Sequence, residues 1–338
     1  MQKHRDNMDK VWNISGLKIP EGSKKEMMLK VAGTLERIPA TFINGKYEGK
    51  TLAVISGLHG GEYDGIQAAI EISKELDPLE LHGRVIILHP LSLSIFESGL
   101  SSVHPKDGKN LNRIFPPQHD GTVSDKIAAY LFDEILSRAD FCLDMHGGGH
   151  CSVVCPHGYI TGVCEDSVYM AAAAAAMTVD IPYFLRSRDE TGAYNYAGIR
   201  GVPGMIIERG GLGRLNRENV RLFKKDVRNL MRHLGIKKDV PEKNMYIPQI
   251  STERYYLNAG DHGCWYPEEN TFAGAFVKKG QKLGTVRGYF GEHIRDVYAN
   301  TDGVLLIAAS ALTVRDGGVL LLACYDKYPL YADENSIE

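Results

Sequence analysis

The chain has 338 residues, 43% of them apolar and 24% charged, and a formal net charge of −3. This composition belongs to a folded globular protein, excludes collagen-like or low-complexity disorder, and gives no electrostatic basis for nucleic-acid binding. The length is sufficient for one large or two ordinary domains, and two are expected.

The opening segment Met1–Met8 has no apolar core of a secretory signal, and no uninterrupted apolar stretch reaches the ~18–20 residues that a bilayer requires. A cytoplasmic protein without membrane contact is the expectation. Six cysteines, at 142, 151, 155, 164, 264 and 324, are scattered in a chain too large to need disulfide staples and read as buried free thiols in a reducing compartment. Cys151 and Cys155 lie near His150 and His157 but lack the paired spacing of a structural zinc site, and the residues between them read as a strand.

Residues 1–50 alternate short apolar runs with charge, as in Leu29–Gly33 and Ile38–Ile43, and carry a turn signal at Asn44-Gly45. They read as strands at a sheet edge. The apolar run Thr51–Ser56 is a further strand, which leads through Gly57-Leu58-His59-Gly60-Gly61-Glu62 into a helix with Ile66, Ala69, Ile70 and Ser73 on one face. Strand-like Arg84–His89 follows, then an amphipathic helix over Ser124–Ser137 with Ser124 as N-cap, then strand-like Phe141–His146. A run of six alanines at 171–176 predicts a thin, closely packed helix. Gly204–Glu208 reads as a buried strand, and Asn216–Leu234 as a basic amphipathic helix whose charge forms a solvated face.

Strands alternating with helices imply an α/β fold with a mixed, mostly parallel sheet flanked by helices. The polar, Pro-containing stretch Lys237–Asn244 is a linker, dividing a catalytic domain at 1–240 from a C-terminal unit at 245–338. Beyond it, glycine-punctuated runs at Gly274–Val277, Leu283–Val286, Asp302–Ile307 and Asp316–Leu322 describe an all-β barrel or sandwich. This unit resembles the barrel-sandwich module of biotinyl and lipoyl carriers, yet no lysine lies between Lys282 and Lys327 to hold such a cofactor. A structural or access-restricting role is therefore expected.

Three of the predicted strand ends carry groups suited to one site: His59 and Glu62, His146, and Glu208. Ligands of open parallel sheets bind beyond the carboxyl ends of the strands. Two imidazoles and a carboxylate form a three-ligand set that leaves zinc an open position for water, and Glu208 is placed to exchange the proton of that water. Asp144, two residues before His146 and on the same side of the strand, is either a hydrogen-bond partner of a histidine ligand or a backbone-capping carboxylate. His150 is a competing ligand, but His146 is preferred because the glycines between them disfavour a helix. In Asn110-Leu-Asn-Arg-Ile-Phe-Pro116, Arg113 offers a planar fork for a substrate carboxylate and Asn112 an adjacent amide.

Together these residues resemble the succinylglutamate desuccinylase/aspartoacylase family of zinc carboxypeptidase-like amidohydrolases. Gly57–Glu62, Asp107–Pro116, Asp144-Met-His146, Glu208-Arg-Gly-Gly211 and the glycine-punctuated β unit occur in the family's order over nearly the whole chain. The resemblance implies that His59, Glu62 and His146 bind one zinc ion, that Glu208 is the general acid/base, and that Asn112 and Arg113 hold a substrate carboxylate. It also exposes a departure. Relatives of this type often carry an arginine shortly before the Pro-x-Asp-Gly segment to polarise the scissile carbonyl, whereas this chain has Leu100-Ser-Ser-Val-His-Pro105, with Ser102 near that place. His104, Lys106 and Arg200 are the replacements to consider. Tyr194 and Tyr196 are candidate hydroxyl donors to substrate, with packing as the competing role.

The expected function is a zinc-dependent amidohydrolase that deacylates a small N-acylated amino acid or amine. Its partners are then a small-molecule substrate and, with the oligomeric state open, further copies of itself in a homo-oligomer. Two alternatives compete: a zinc carboxypeptidase acting on peptides, which shares the ligand spacing, and a non-catalytic zinc-bearing binding protein, suggested by the missing arginine.

Overall fold

The computed structural model describes residues 11–316, 318–325 and 329–332. Met1–Met8, Gly317, Lys327 and the side chain of Cys324 lie outside the described residues. The chain opens with a hairpin, β1 (Val11–Ile14) and β2 (Leu17–Pro20), followed by β3 (Ser23–Lys30), β4 (Arg37–Asn44) and β5 (Tyr47–Ser56). It continues with α1 (Tyr63–Glu75), β6 (His82–Leu88), α2 (Leu93–Ser98), α3 (Val123–Tyr130), β7 (Phe141–His146), β8 (Ser152–Ile160), α4 (Asp166–Ala176), β9 (Tyr183–Arg186), α5 (Ala193–Ile199), β10 (Gly204–Gly211) and α6 (Arg217–His233). The remaining elements are strands: β11 (Tyr246–Ile247), β12 (Gln249–Ser251), β13 (Arg254–Asn258), β14 (Gly263–Pro267), β15 (Phe276–Val277), β16 (Lys282–Arg287), β17 (His293–Tyr298), β18 (Gly303–Ala309), β19 (Thr313–Val314), β20 (Val319–Tyr325) and β21 (Leu330–Tyr331).

One mixed sheet organises the molecule, with the order β13-β20-β18-β8-β10-β7-β5-β6-β4-β3. Its centre, β10-β7-β5-β6, is parallel, and its strands are nearly continuous apolar runs because helices cover both faces. Outside that centre the pairing is largely antiparallel, with β8–β9–β12 a further parallel set, so the mostly parallel expectation holds only for these two groups of strands. The reason is loop length: β8 returns after only a short glycine-rich turn following His146, and a connection that short cannot make a parallel crossover. β3 occupies the sheet edge, in keeping with the expectation for the N-terminal strands.

The two faces bury separate cores. Cys142, Ala53, Ile55 and Ile206 pack with Tyr194 and Ala197 of α5 on one face. Leu143, Val54 and Ile207 pack with Ile72 of α1, Ala172 of α4 and Phe223 of α6 on the other. The alanine run lets α4 lie close to the sheet, with Ala172, Ala175 and Ala176 fully buried. α6 starts where its sequence indicates: the Asn216 side chain accepts from the N–H groups of Glu218 and Asn219. α3 differs, since its N-cap is Thr122 and not Ser124. The Asp125 carboxylate accepts the Thr122 N–H at 2.9 Å, while Ser124 donates its hydroxyl to Asp107 at 2.8 Å.

The C-terminal strands pair in two ways. β18 bonds to β8 and so continues the large sheet, while β17-β16-β14-β19 form a separate four-stranded sheet. The chain reaches them through an anchored segment: Asp180 accepts the N–H groups of Met245 and Tyr246 at 2.7 and 3.0 Å. Asp180 also receives Lys225 at 2.8 Å, beside a buried Arg209–Asp226 pair at 2.8 Å that ties β10 to α6. No helix among the described residues is long and apolar enough to cross a membrane. Among the described residues Cys142, Cys151, Cys164 and Cys264 are free thiols, but only Cys142 is buried as expected; Cys151 is exposed and Cys164 and Cys264 are half-buried.

Candidate active site

The turn between β5 and α1 carries His59 and Glu62, and its glycines are required by close packing. A Cβ on Gly57, whose φ is +61°, would stand 2.6 Å from Pro90 Cα, and one on Gly60 would stand 2.4 Å from the Phe96 backbone nitrogen. No side chain fits at either place, so the turn presses against Pro90 and the backbone of α2 and directs its polar groups toward the ends of β7 and β10. His146 is the last residue of β7, and Glu208 is its register partner on the parallel strand β10. Their side chains therefore leave the sheet on the same face.

His59 Nδ1 lies 2.8 Å from Glu62 Oε1, and His146 Nδ1 lies 3.1 Å from Glu62 Oε2. The opposite ring nitrogens are engaged elsewhere. His59 Nε2 is 3.0 Å from Asn110 Oδ1, an oxygen that also accepts the Asn112 N–H at 2.8 Å. Asn110 thus presents its acceptor, and His59 carries its proton on Nε2. His146 Nε2 lies 3.0 Å from Asp144 Oδ2, an ion-pair contact without aligned hydrogen-bond geometry, and among the described residues Asp144 caps no backbone group. Both Nδ1 atoms therefore face Glu62.

Among the described residues Glu62 Oε2 is buried without an aligned hydrogen-bond donor, and one ligand atom from each of His59, Glu62 and His146 lies within 4.8 Å of the others. Two nitrogens and one carboxylate, converging and backed by oriented partners, can hold a divalent metal. The electrostatics agree. Burial alone would raise the Glu62 pKa, yet His59 and His146 bring it down to about 2. Burial would lower the His146 pKa, yet Asp144 and Glu62 push it well above its ordinary value. The cluster is one that favours positive charge.

Glu208 is partly buried, and burial, reinforced by the negative charges of Glu62 and Asp144, pushes its pKa up to about 8 against the opposing effect of His146. A carboxyl group so placed exchanges a proton near neutral pH, as a general acid/base requires.

The other candidates are distributed unequally. Arg113 is exposed, donates Nη1 to the Asn112 carbonyl at 3.0 Å, and exerts its positive charge on Glu208. Asn112 is buried, and its Oδ1 accepts the Ala193 N–H at 3.3 Å. Tyr194 is buried in the core with its hydroxyl engaged by Ser187 and Asn195. Tyr196 packs against Phe115 and Phe132.

None of the three considered replacements for the arginine reaches the site. His104 is fully buried with Nε2 3.4 Å from Glu36. Lys106 lines a surface cavity of about 460 Å³ with Gly33, Thr34, Val123 and Lys126. Arg200 caps α5 at the end of the sheet opposite Glu208. The residue that touches the metal-site turn is Ser101, not Ser102: its carbonyl accepts the Gly61 N–H at 3.1 Å, and its hydroxyl accepts the His150 N–H at 3.4 Å. The sequence alone does not single out Asn110 as a partner of His59, although it stands in the same Asn-x-Asn-Arg run that marks Asn112.

A mixed sheet bearing a His–Glu–His set and an apposed carboxylate at its strand ends defines a protein that can hold one divalent metal beside an acid/base. Comparisons with known proteins supply the family. Residues 48–234 match the succinylglutamate desuccinylase/aspartoacylase catalytic domain. The chain is 30% identical over 240 residues to an N-alpha-acetyl-L-2,4-diaminobutyric acid deacetylase of Halomonas elongata, covering 69% of this chain and 67% of that one. Among solved structures, it resembles a succinylglutamate desuccinylase/aspartoacylase from Rhodobacter sphaeroides, with TM-score 0.78, 26% identity and coverage of 86% and 90% of the two chains. It also resembles the product-bound ectoine utilization protein EutE (DoeB) from Ruegeria pomeroyi, with TM-score 0.80, 25% identity and coverage of 90% and 97%. The chain belongs to the succinylglutamate desuccinylase/aspartoacylase family and is a hydrolase acting on carbon–nitrogen amide bonds.

Proposed function

We propose that the protein is a cytoplasmic, zinc-dependent deacylase that cleaves the amide of a small N-acylated amino acid or amine, with one zinc per chain held by His59 Nδ1, Glu62 and His146 Nδ1. The observation that carries this reading is the register pairing of Glu208 with His146, which sets a protonatable carboxyl group beside the His–Glu–His set. Zinc bound there supplies Lewis acidity that polarises the scissile carbonyl and lowers the pKa of water to about 7. Glu208 takes the proton of the attacking water and gives it to the leaving amine. Asn112 and Arg113 hold the substrate carboxylate, and Asp144 and Asn110 keep the two imidazoles oriented. The Halomonas elongata relative, named for deacetylating an N-acetylated diamino acid, supports a small N-acyl amino acid as substrate.

In this reading residues 1–240 form the catalytic α/β domain, and 245–338 a C-terminal β unit of barrel-sandwich type that narrows access to small substrates. The test is a screen of purified, zinc-loaded protein against N-acyl amino acids, N-acyl amines and short peptides. Hydrolysis of the N-acyl compounds is expected. Turnover of peptides alone would identify a carboxypeptidase, and binding without turnover of any class would identify a non-catalytic protein.

A further inference from the structure

Two consecutive ion pairs of opposite polarity join the segment between β9 and α5 to the start of β13. Arg188 Nη2 lies 3.2 Å from Glu253 Oε1, and Arg254 Nη2 lies 2.9 Å from Asp189 Oδ2. The parallel pairing of β9 with β12, in register from Tyr183↔Gln249 to Leu185↔Ser251, delivers both segments side by side just beyond the strand ends. The pairs are unequal. Arg188 and Glu253 are 62% and 52% exposed and screened by solvent; in the second pair Asp189 is 56% exposed, but the Arg254 side chain is only 12% exposed and lies against the Tyr256 ring at 5.8 Å. Arg254 is the fixed member of this clasp.

The clasped segment ends on a residue of the proposed substrate site. Within it, Asp189 N–H donates to Ser187 Oγ at 3.2 Å, and Asn195 Nδ2 donates to Ser187 Oγ and the Thr191 carbonyl at 3.0 and 2.9 Å. Gly192 has φ +98° and passes so close to Asn112 that a Cβ would stand 2.9 Å from its Oδ1. The next N–H, of Ala193, donates to that same oxygen. This bond decides which way the Asn112 amide faces: with Oδ1 turned to Ala193, the Nδ2 group becomes its donor toward an anionic ligand.

We propose that Arg254, contributed by the C-terminal strands, is a positioning residue for carboxylate recognition: through Asp189 it holds the 187–193 segment, and through Ala193 it sets the orientation of Asn112. This inference rests on the amidohydrolase reading and extends it by making the C-terminal strands part of substrate selection. The experiment compares wild type, Arg254→Ala and the charge-swapped pair Asp189→Arg/Arg254→Asp on an N-acyl amino acid and on the matching N-acyl amine without a carboxylate. Arg254→Ala raises KM for the N-acyl amino acid about fivefold with kcat nearly unchanged, leaves the carboxylate-free amine unaffected, and the swapped pair restores KM. An unchanged KM, an equal rise for both substrates, or failure of the swap to restore overturns the proposal. Amide hydrogen exchange over residues 187–195 decides independently of turnover: faster exchange at Ala193 in Arg254→Ala is expected, and unchanged exchange overturns the clasp. If wild type hydrolyses neither substrate, the amidohydrolase reading fails while the exchange result still judges the clasp.

Discussion

Replacing His157 by phenylalanine should remove most of an acid-induced loss of stability. His157 is fully buried, it donates from Nδ1 to the Cys155 carbonyl at 2.8 Å, and its Nε2 is buried without a hydrogen-bond partner among the described residues. Burial pushes its pKa down to about 4 from an ordinary 6.5. Between those values the unfolded chain binds the proton and the folded chain does not, so the contribution of the neutral ring is complete above pH 6.5 and is lost as pH falls toward 4. Between pH 7.5 and 4.5 this amounts to about 2–3 kcal/mol, at roughly 1.4 kcal/mol per pKa unit. Urea unfolding of both proteins in chelator, at several pH values, isolates the effect, because other titrating groups cancel in the difference. The constant cost of the lost hydrogen bond, about 1 kcal/mol, shifts the difference without giving it a slope. Parallel stability profiles for wild type and His157→Phe would refute the reasoning.

Other expectations follow from packing and ligation. Gly60→Ala places a Cβ 2.4 Å from Phe96 N and 2.6 Å from Ile95 C, backbone atoms that cannot yield, so thermal unfolding should show a loss of more than about 2 kcal/mol and metal analysis a loss of zinc. Arg209→Leu leaves the fully buried Asp226 without its cation and should cost about 3–5 kcal/mol in denaturant unfolding; adding Asp226→Leu should recover most of that. Excess zinc should stabilise wild type by up to about 4 kcal/mol at a thousandfold over Kd, read as a raised thermal midpoint, and His59→Ala should abolish the rise.

The parts of this fold written in contiguous sequence are legible from the residues alone. Thr51–Ser56, Phe141–His146 and Gly204–Glu208 are mainly apolar runs, Asp144 apart, because helices bury both faces of their strands, and each leads to a polar residue at the site. Asn216 marks the start of α6 by its own capping hydrogen bonds. The start of α3 is ambiguous in sequence because Thr122 and Ser124 are both good caps, and the contact that decides between them, Ser124 with Asp107, spans 17 residues. The extension of the sheet from β8 through β18 depends on long-range pairing that no local pattern encodes. The Asp189–Arg254 pair is likewise invisible in sequence, its members being 65 residues apart. The loop after α2 shows the same limit: only the folded backbone reveals that Ser101 meets Gly61 while His104 turns to Glu36.

The most direct test of the proposed chemistry is the zinc content and hydrolytic rate of Glu208→Gln against an N-acyl amino acid that wild type cleaves. The amide is nearly isosteric and does not belong to the His59, Glu62 and His146 set, so the variant should retain one zinc per chain and lose activity by a factor on the order of a thousand. Near-normal turnover by the zinc-loaded variant would contradict the account.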